Sequence, residues 1–115
     1  MIDAVFLKNG VQWKGFRISG HARYAKHGRD VVCSAVSAVA QMTLVGLLEV
    51  VKADAEYEID DGGELSFTLC DGNTTYALEQ SQLLIETLHK TMCNMQHNYS
   101  GHLRVSEREE TQYVI

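Results

Sequence analysis

Residues 20–37 run Gly20-His21-Ala22-Arg23-Tyr24-Ala25-Lys26-His27-Gly28-Arg29-Asp30-Val31-Val32-Cys33-Ser34-Ala35-Val36-Ser37. A short polar loop bounded by Gly20 and Gly28 gives way at Asp30 to eighteen residues without a charge, ending before Glu49. Asp30 suits a helix N-cap, because its carboxylate accepts hydrogen bonds from the free amides of the first turn. The pattern predicts a helix from Asp30 to about Lys52, roughly 30 Å long. Cys33 then falls in the first turn, where unpaired N–H groups and the positive end of the helix dipole favour an anion. A thiol placed there ionises more easily than at its ordinary pKa of about 8.5, and the thiolate is the nucleophile. His21, twelve positions earlier, can return over the loop as its base. Cysteine is also a common small buried hydrophobe, so the pair alone leaves a structural reading open.

Upstream, Ile2–Leu7 is apolar on both faces and predicts a central strand. Lys8-Asn9-Gly10 is a turn, since Asn-Gly takes positive φ readily. Val11–Ser19 predicts a second, antiparallel strand, with Trp13, Phe16 and Ile18 as its apolar contacts. It delivers Gly20 and His21 at its end, where a rigid scaffold hands over to a loop. The loop Ala22–Arg29 gathers Arg23, Tyr24, Lys26, His27 and Arg29. Ala22, Arg23, Tyr24 and His27 are candidate substrate contacts, with Gly20 and Gly28 as hinges for closure. His27 is a second candidate base.

Downstream, the long helix is apolar nearly all round, yet Ser34, Ser37, Gln41 and Thr43 interrupt it. A core helix lying on a sheet, with a second subunit on its far side, fits better than a membrane span. Ser37, one turn after Cys33, is a candidate partner for it. Ala55–Asp60 and Glu64–Cys70 predict a hairpin around Asp61-Gly62-Gly63, with Tyr57, Ile59, Leu65, Phe67 and Leu69 apolar in alternation. Asp71–Thr75 turns into a second helix reaching about Asn98, capped by Thr or Asn, with Leu84, Leu88, Met92 and Met95 as its core stripe. His89, Cys93 and His97 stand at i, i+4 and i+8; a straight helix rarely brings three ligands to one ion, so the row reads as a boundary between core and solvent. His102–Ser106 predicts a last strand, followed by a charged tail, Glu107–Ile115. The order ββαββαβ predicts an α+β fold, a mixed or antiparallel sheet with two helices packed on it.

The 115 residues make a single domain, 1–115, with 45% hydrophobic and 22% charged residues. Ten basic against fifteen acidic residues give a net charge of −5. A direct nucleic-acid binder wants a basic stripe, and none is visible, whereas a basic protein suits an acidic surface. Cys33, Cys70 and Cys93 are far apart, and no C-x-x-C pair suggests zinc or redox work. With no signal-like start, the expectation is a cytoplasmic protein without a membrane, metal or other cofactor.

The stretch around Gly20, His21, Ala22, Gly28, Asp30, Val31, Val32, Cys33, Ala35 and Ser37 resembles the signature of the ribosomal-processing cysteine protease (Prp) family of bacteria. Ser34 stands where alanine is commoner. The resemblance implies a cysteine endopeptidase that removes a short N-terminal extension from a large-subunit ribosomal protein, cutting after an aromatic residue in an apolar motif. It also implies a homodimer, with Cys33 as nucleophile and His21 as general base and acid. Asp30, Gly20, Gly28 and Ser37 are supporting residues. Two other classes use the same features: a non-enzymatic dimeric adaptor in ribosome assembly, and a redox-responsive thiol protein in which Cys33 senses oxidant.

Overall fold

A computed structural model describes residues 1–20 and 31–110 in full and the backbone of residues 27–30. The first two strands, β1 (Ile2–Asn9) and β2 (Gln12–Ser19), form the expected antiparallel hairpin around Gly10, whose φ is +66°. Their register slips between Leu7 and Lys8: Leu7 faces Gly15 while Lys8 faces Trp13. Lys14 is the extra residue of a bulge, which lets Trp13 and Phe16, three apart, both point inward.

After the loop comes α1 (His27–Val45), continued by a π-helical turn over Gly46–Val50. A left-handed Lys52 (φ +60°) then ends it, and the Ala53 amide donates to the Leu47 carbonyl. Strands β3 (Ala55–Ile59) and β4 (Leu65–Leu69) make the second hairpin. Helix α2 (Thr75–Asn98) starts at Thr74, whose hydroxyl accepts from the Ala77 amide, and β5 (Leu103–Glu109) closes the sheet. Glu107–Glu109, left unassigned in the sequence as part of the tail, extend that strand; residues 111–115 lie outside the described residues.

The sheet is mixed, in the order β3-β4-β2-β1-β5, with every pairing antiparallel except β1 with β5. Period-two alternation puts Ile2, Ala4, Phe6, Phe16, Ile18, Leu65, Phe67, Leu69 and Leu103 on the face that the helices cover. Phe6 pairs with Phe16 and Phe16 with Phe67, so three rings run across the sheet, with Phe16 and Phe67 stacked at 5.4 Å. Val32, Val36, Ala40, Leu44 and Leu47 of α1 and Ile85, Leu88 and Met92 of α2 complete the core.

Val31–Val50 is long and apolar enough to cross a membrane by length and composition, and here one of its sides is core. Tyr57 and Ile59 depart from expectation. They lie in register with Phe67 and Leu65, yet both stay exposed because neither helix reaches over the edge strand β3.

Candidate active site

At 3.6 residues per turn, the buried residues of α1 define one face, and two flanks border it. On one flank Gly46 lies against Leu84 of α2, at a separation that leaves 3.0 Å for an added Cβ. The other flank carries Cys33, Ser37 and Gln41, one turn apart each, and looks towards the β3–β4 hairpin. Cys33 is half-buried and packs against the core, and Ser37 is half-buried beside it. Below them a cleft of about 70 Å³ opens between α1 and the sheet. Val36, Ser37, Ala40 and Gln41 form its helix wall; Ile18, Leu65, Ile59 and Gly63 form the sheet side.

Gly20 follows the end of β2, two residues after Ile18 of the cleft floor and against Met1. Its φ is +86°, and a Cβ there would lie 2.4 Å from the Met1 carbonyl oxygen. Only glycine turns the chain out of the sheet at this point without strain. His21, Ala22, Arg23 and Tyr24, the candidate base and loop contacts, lie outside the described residues.

The helix start corrects one expectation. α1 begins at His27, so Asp30 belongs to its opening turn and is not the cap, and Gly28 is helical rather than a loop hinge. Aspartate is favoured in an opening turn as well as at a cap, so its position alone does not place the boundary. Cys33 becomes the seventh helical residue. The free amides of the helix, those of its first four residues, therefore precede the sulfur instead of surrounding it.

At Cys70 and Cys93 the surroundings disfavour the thiolate. Burial pushes the Cys70 thiol up, helped by the nearby carboxylates of Asp54, Glu56 and Asp71. Burial also raises that of Cys93, with the Glu107 carboxylate adding to it. Both thereby favour the thiol over the thiolate. Cys93 Sγ lies 3.7 Å from His89 Nε2, which is itself 3.6 Å from a Glu107 carboxylate oxygen. The His89 ring packs edge-on to Phe6 and tilted on Trp13, and this contact makes it a core-edge residue. His97 is exposed, and among the described residues no group of three or more His, Cys, Asp or Glu is placed to hold a metal ion.

A larger hollow, about 940 Å³, lies on the opposite face of the sheet, between Val5, Leu7, Arg17, Thr68 and Arg104. Arg104 there is bound to Asp3 at 2.8 Å and Arg17 to Glu64 at 3.6 Å. Its lining has neither cysteine nor histidine, and the sheet separates it from Cys33.

The profile of the family described as Cysteine protease Prp matches residues 1–104. The chain belongs to that family. It is a cysteine protease. A Bacillus subtilis relative named ribosomal processing cysteine protease Prp is 30% identical over 92 residues, covering 79% of this chain and 82% of its own. The Staphylococcus aureus protein of the same name is 26% identical over 92 residues, covering 77% and 81%. A Streptococcus mutans protein of solved structure superposes with a TM-score of 0.83 at 25% identity, covering 96% of each chain. Prp from S. aureus in complex with a substrate peptide superposes at 0.82 with 19% identity, over 94% of this chain and all of that one, which shows the Prp fold.

The sequence nominated Cys33 and Ser37 as candidates but gave no sign of the cleft, whose walls come from α1, β2, β3, β4 and the turn between β3 and β4. Ile59 carried the one available signal, as an apolar residue next to a turn on a strand otherwise rich in acids.

Proposed function

We propose that Cys33 is the nucleophile and His21 its general base and acid, in an endopeptidase that removes an N-terminal extension from a large-subunit ribosomal protein. The observation that carries this is the half-buried Cys33 on the flank of α1 that continues into the cleft, with Gly20 at the neighbouring strand end. His21 is bonded directly to Gly20, so it enters the loop from that sheet end. The names of the B. subtilis and S. aureus relatives support ribosomal-protein processing, and the S. aureus enzyme is solved with a covalently linked product peptide.

The Cys33 thiolate attacks the scissile carbonyl, giving a tetrahedral intermediate. This collapses to a thioester as the His21 imidazolium protonates the departing amine. Water, deprotonated by the then neutral imidazole, hydrolyses the thioester and releases the thiol. Ser37, one turn from Cys33, supports the sulfur's surroundings; Asp30 and Gly28 act through the opening turn of α1. Ala22, Arg23 and Tyr24 belong to the substrate-side loop, and His27, expected within that loop, is instead the first residue of α1. No cofactor enters these steps.

A second copy of the chain is the proposed partner, seated on the outer stripe of α1. Val31, Met42 and Val45 are exposed there, with small Ser34 and Ala38 between them and no charge along it. An uncharged stripe pairs with itself without like-charge repulsion. Three free cysteines fit a reducing cytoplasm, and the buried face of α1 fits a helix outside the membrane.

The deciding experiment is cleavage of the extended ribosomal protein followed by mass spectrometry. Cys33→Ala abolishes it while circular dichroism stays native, and iodoacetamide labels Cys33 ahead of Cys70 and Cys93. Full cleavage by Cys33→Ala excludes the assigned nucleophile. A wild type that binds the protein without cutting it favours the adaptor.

A further inference from the structure

We infer that the sheet face turned away from the helices is a docking surface for the phosphate backbone of structured RNA. The choice of RNA rests on the ribosomal-protein substrate proposed above, because ribosomal proteins work bound to RNA. The surface is built by register. Across β1, Asp3 stands between Ser19 and Arg104, Val5 between Arg17 and Ser106, and Leu7 between Gly15 and Arg108. Successive rows lie about 7 Å apart along the strands, and neighbouring strands about 4.8 Å apart. Arg104, Arg17 and Arg108 therefore alternate across β1, one to a row, in steps close to those between successive phosphates of an extended strand. Lys14 of the bulge borders the same hollow. The sequence shows no basic stripe because this one joins residues from opposite ends of the chain, on β2 and β5.

The chemistry suits phosphate. Among the described residues that line the hollow, these four cations face two acids, Asp3 and Glu110, although the chain as a whole carries a net charge of −5. Arg104 commits its Nε–H to Asp3 at 2.8 Å, while Arg17 stands 3.6 Å from Glu64, beyond hydrogen-bond distance. Their side chains are 67% and 65% exposed, so both guanidinium groups remain within reach of a phosphate. Ser66, Thr68 and Ser106 add hydroxyl donors. Strands β1 and β2 are each paired on both sides, so the ladder consumes their backbone groups. An extended peptide laid over them gains no main-chain hydrogen bond, and a phosphodiester needs none. Phe16, the aromatic residue among the described lining residues, is fully buried, so bases find no stacking platform. The occupant is thus held by its backbone, without its base sequence being read. Glu56 and Glu58 share this face with their partners Thr68 and Ser66 and repel it from the β3 edge.

The test uses the full-length enzyme and a fluorescein-labelled hairpin of large-subunit ribosomal RNA, read by anisotropy across a salt series. The wild type binds the hairpin in low salt, and its affinity falls steeply as salt rises. Arg17→Gln and Arg104→Gln each weaken binding about threefold to tenfold and lower the salt slope by about one. Arg17→Lys keeps the slope, because the charge remains. Lys90→Gln, an exposed change on α2, alters neither quantity. Circular dichroism checks that the variants fold, and Arg17→Gln and Arg104→Gln cut a free N-terminal peptide at the wild-type rate, since the sheet separates this face from Cys33. Absence of binding in low salt, or an equal loss in Lys90→Gln, overturns the inference. Displacement of the RNA by polyglutamate at equal charge also overturns it and assigns the face to an acidic protein. A dimer that Arg17→Gln or Arg104→Gln splits in sedimentation overturns it too and gives the face to a second copy. The protease reading is judged separately, by cleavage of the extended protein with wild type and Cys33→Ala.

Discussion

Gly20 is the residue at which the sheet lets go of the chain. Alanine there meets the Met1 carbonyl at 2.4 Å and a φ that L side chains avoid. Gly20→Ala is expected to destabilise by about 1–3 kcal/mol and to depress cleavage, because the segment bearing His21 leaves the strand at a different angle. Urea denaturation with parallel kinetics checks both. Legibility at this scale was uneven. The Gly20–Ser37 motif marks Cys33 from the sequence alone, because its spacing is local. The bulge at Lys14 was not visible, although Trp13 and Phe16 three apart on a strand could have suggested one. The environment of Cys33 was misplaced by a turn, since helix ends are decided by small differences among several capping choices.

Among elements, α2 is clamped to β2 at the bulge. The Trp13 amide donates to Gln82 Oε1 at 2.6 Å, Gln82 Nε2 donates to the Trp13 carbonyl at 2.7 Å, and the indole N–H donates to Glu86 at 2.7 Å. The indole hydrogen bond, with smaller help from Lys90, holds the Glu86 carboxyl below its usual range despite some desolvation. A carboxylate with a lowered folded pKa contributes stability above its unfolded pKa of about 4.3, and that contribution fades as pH falls through the folded value. Glu86→Gln is therefore expected to melt lower near neutral pH and to show a shallower loss of stability on acidification below about pH 4.3. Melts between neutral and acid pH test this; parallel curves for the two proteins would contradict it. The hairpins could be read from Asn9-Gly10 and Asp61-Gly62-Gly63. That β3 would lie bare could not, because coverage depends on where α1 lands.

For the whole molecule, the strand order was not readable, as β1 pairs with a strand about a hundred residues away. The α+β class and the ββαββαβ order were, since they follow from local periodicity and turns. The outer stripe of α1 belongs to this scale too. Met42→Lys with Val45→Lys places like charges opposite each other in a self-paired stripe, so a dimer is expected to become monomeric in sedimentation. Both residues are exposed, so thermal stability of the fold is expected to change by less than about 1 kcal/mol apart from the lost association. Unchanged sedimentation would contradict the proposed pairing through this stripe.

The parallel pairing of β1 with β5 has a consequence for the chain's birth. Translation delivers β1 about a hundred residues before Leu103–Glu109, so one side of β1 stays without a neighbour until that later strand has emerged. A polypeptide halted before Leu103 keeps that edge bare and lacks the residue that buries against Ile2. Premature termination there would yield a sticky fragment rather than a smaller working enzyme.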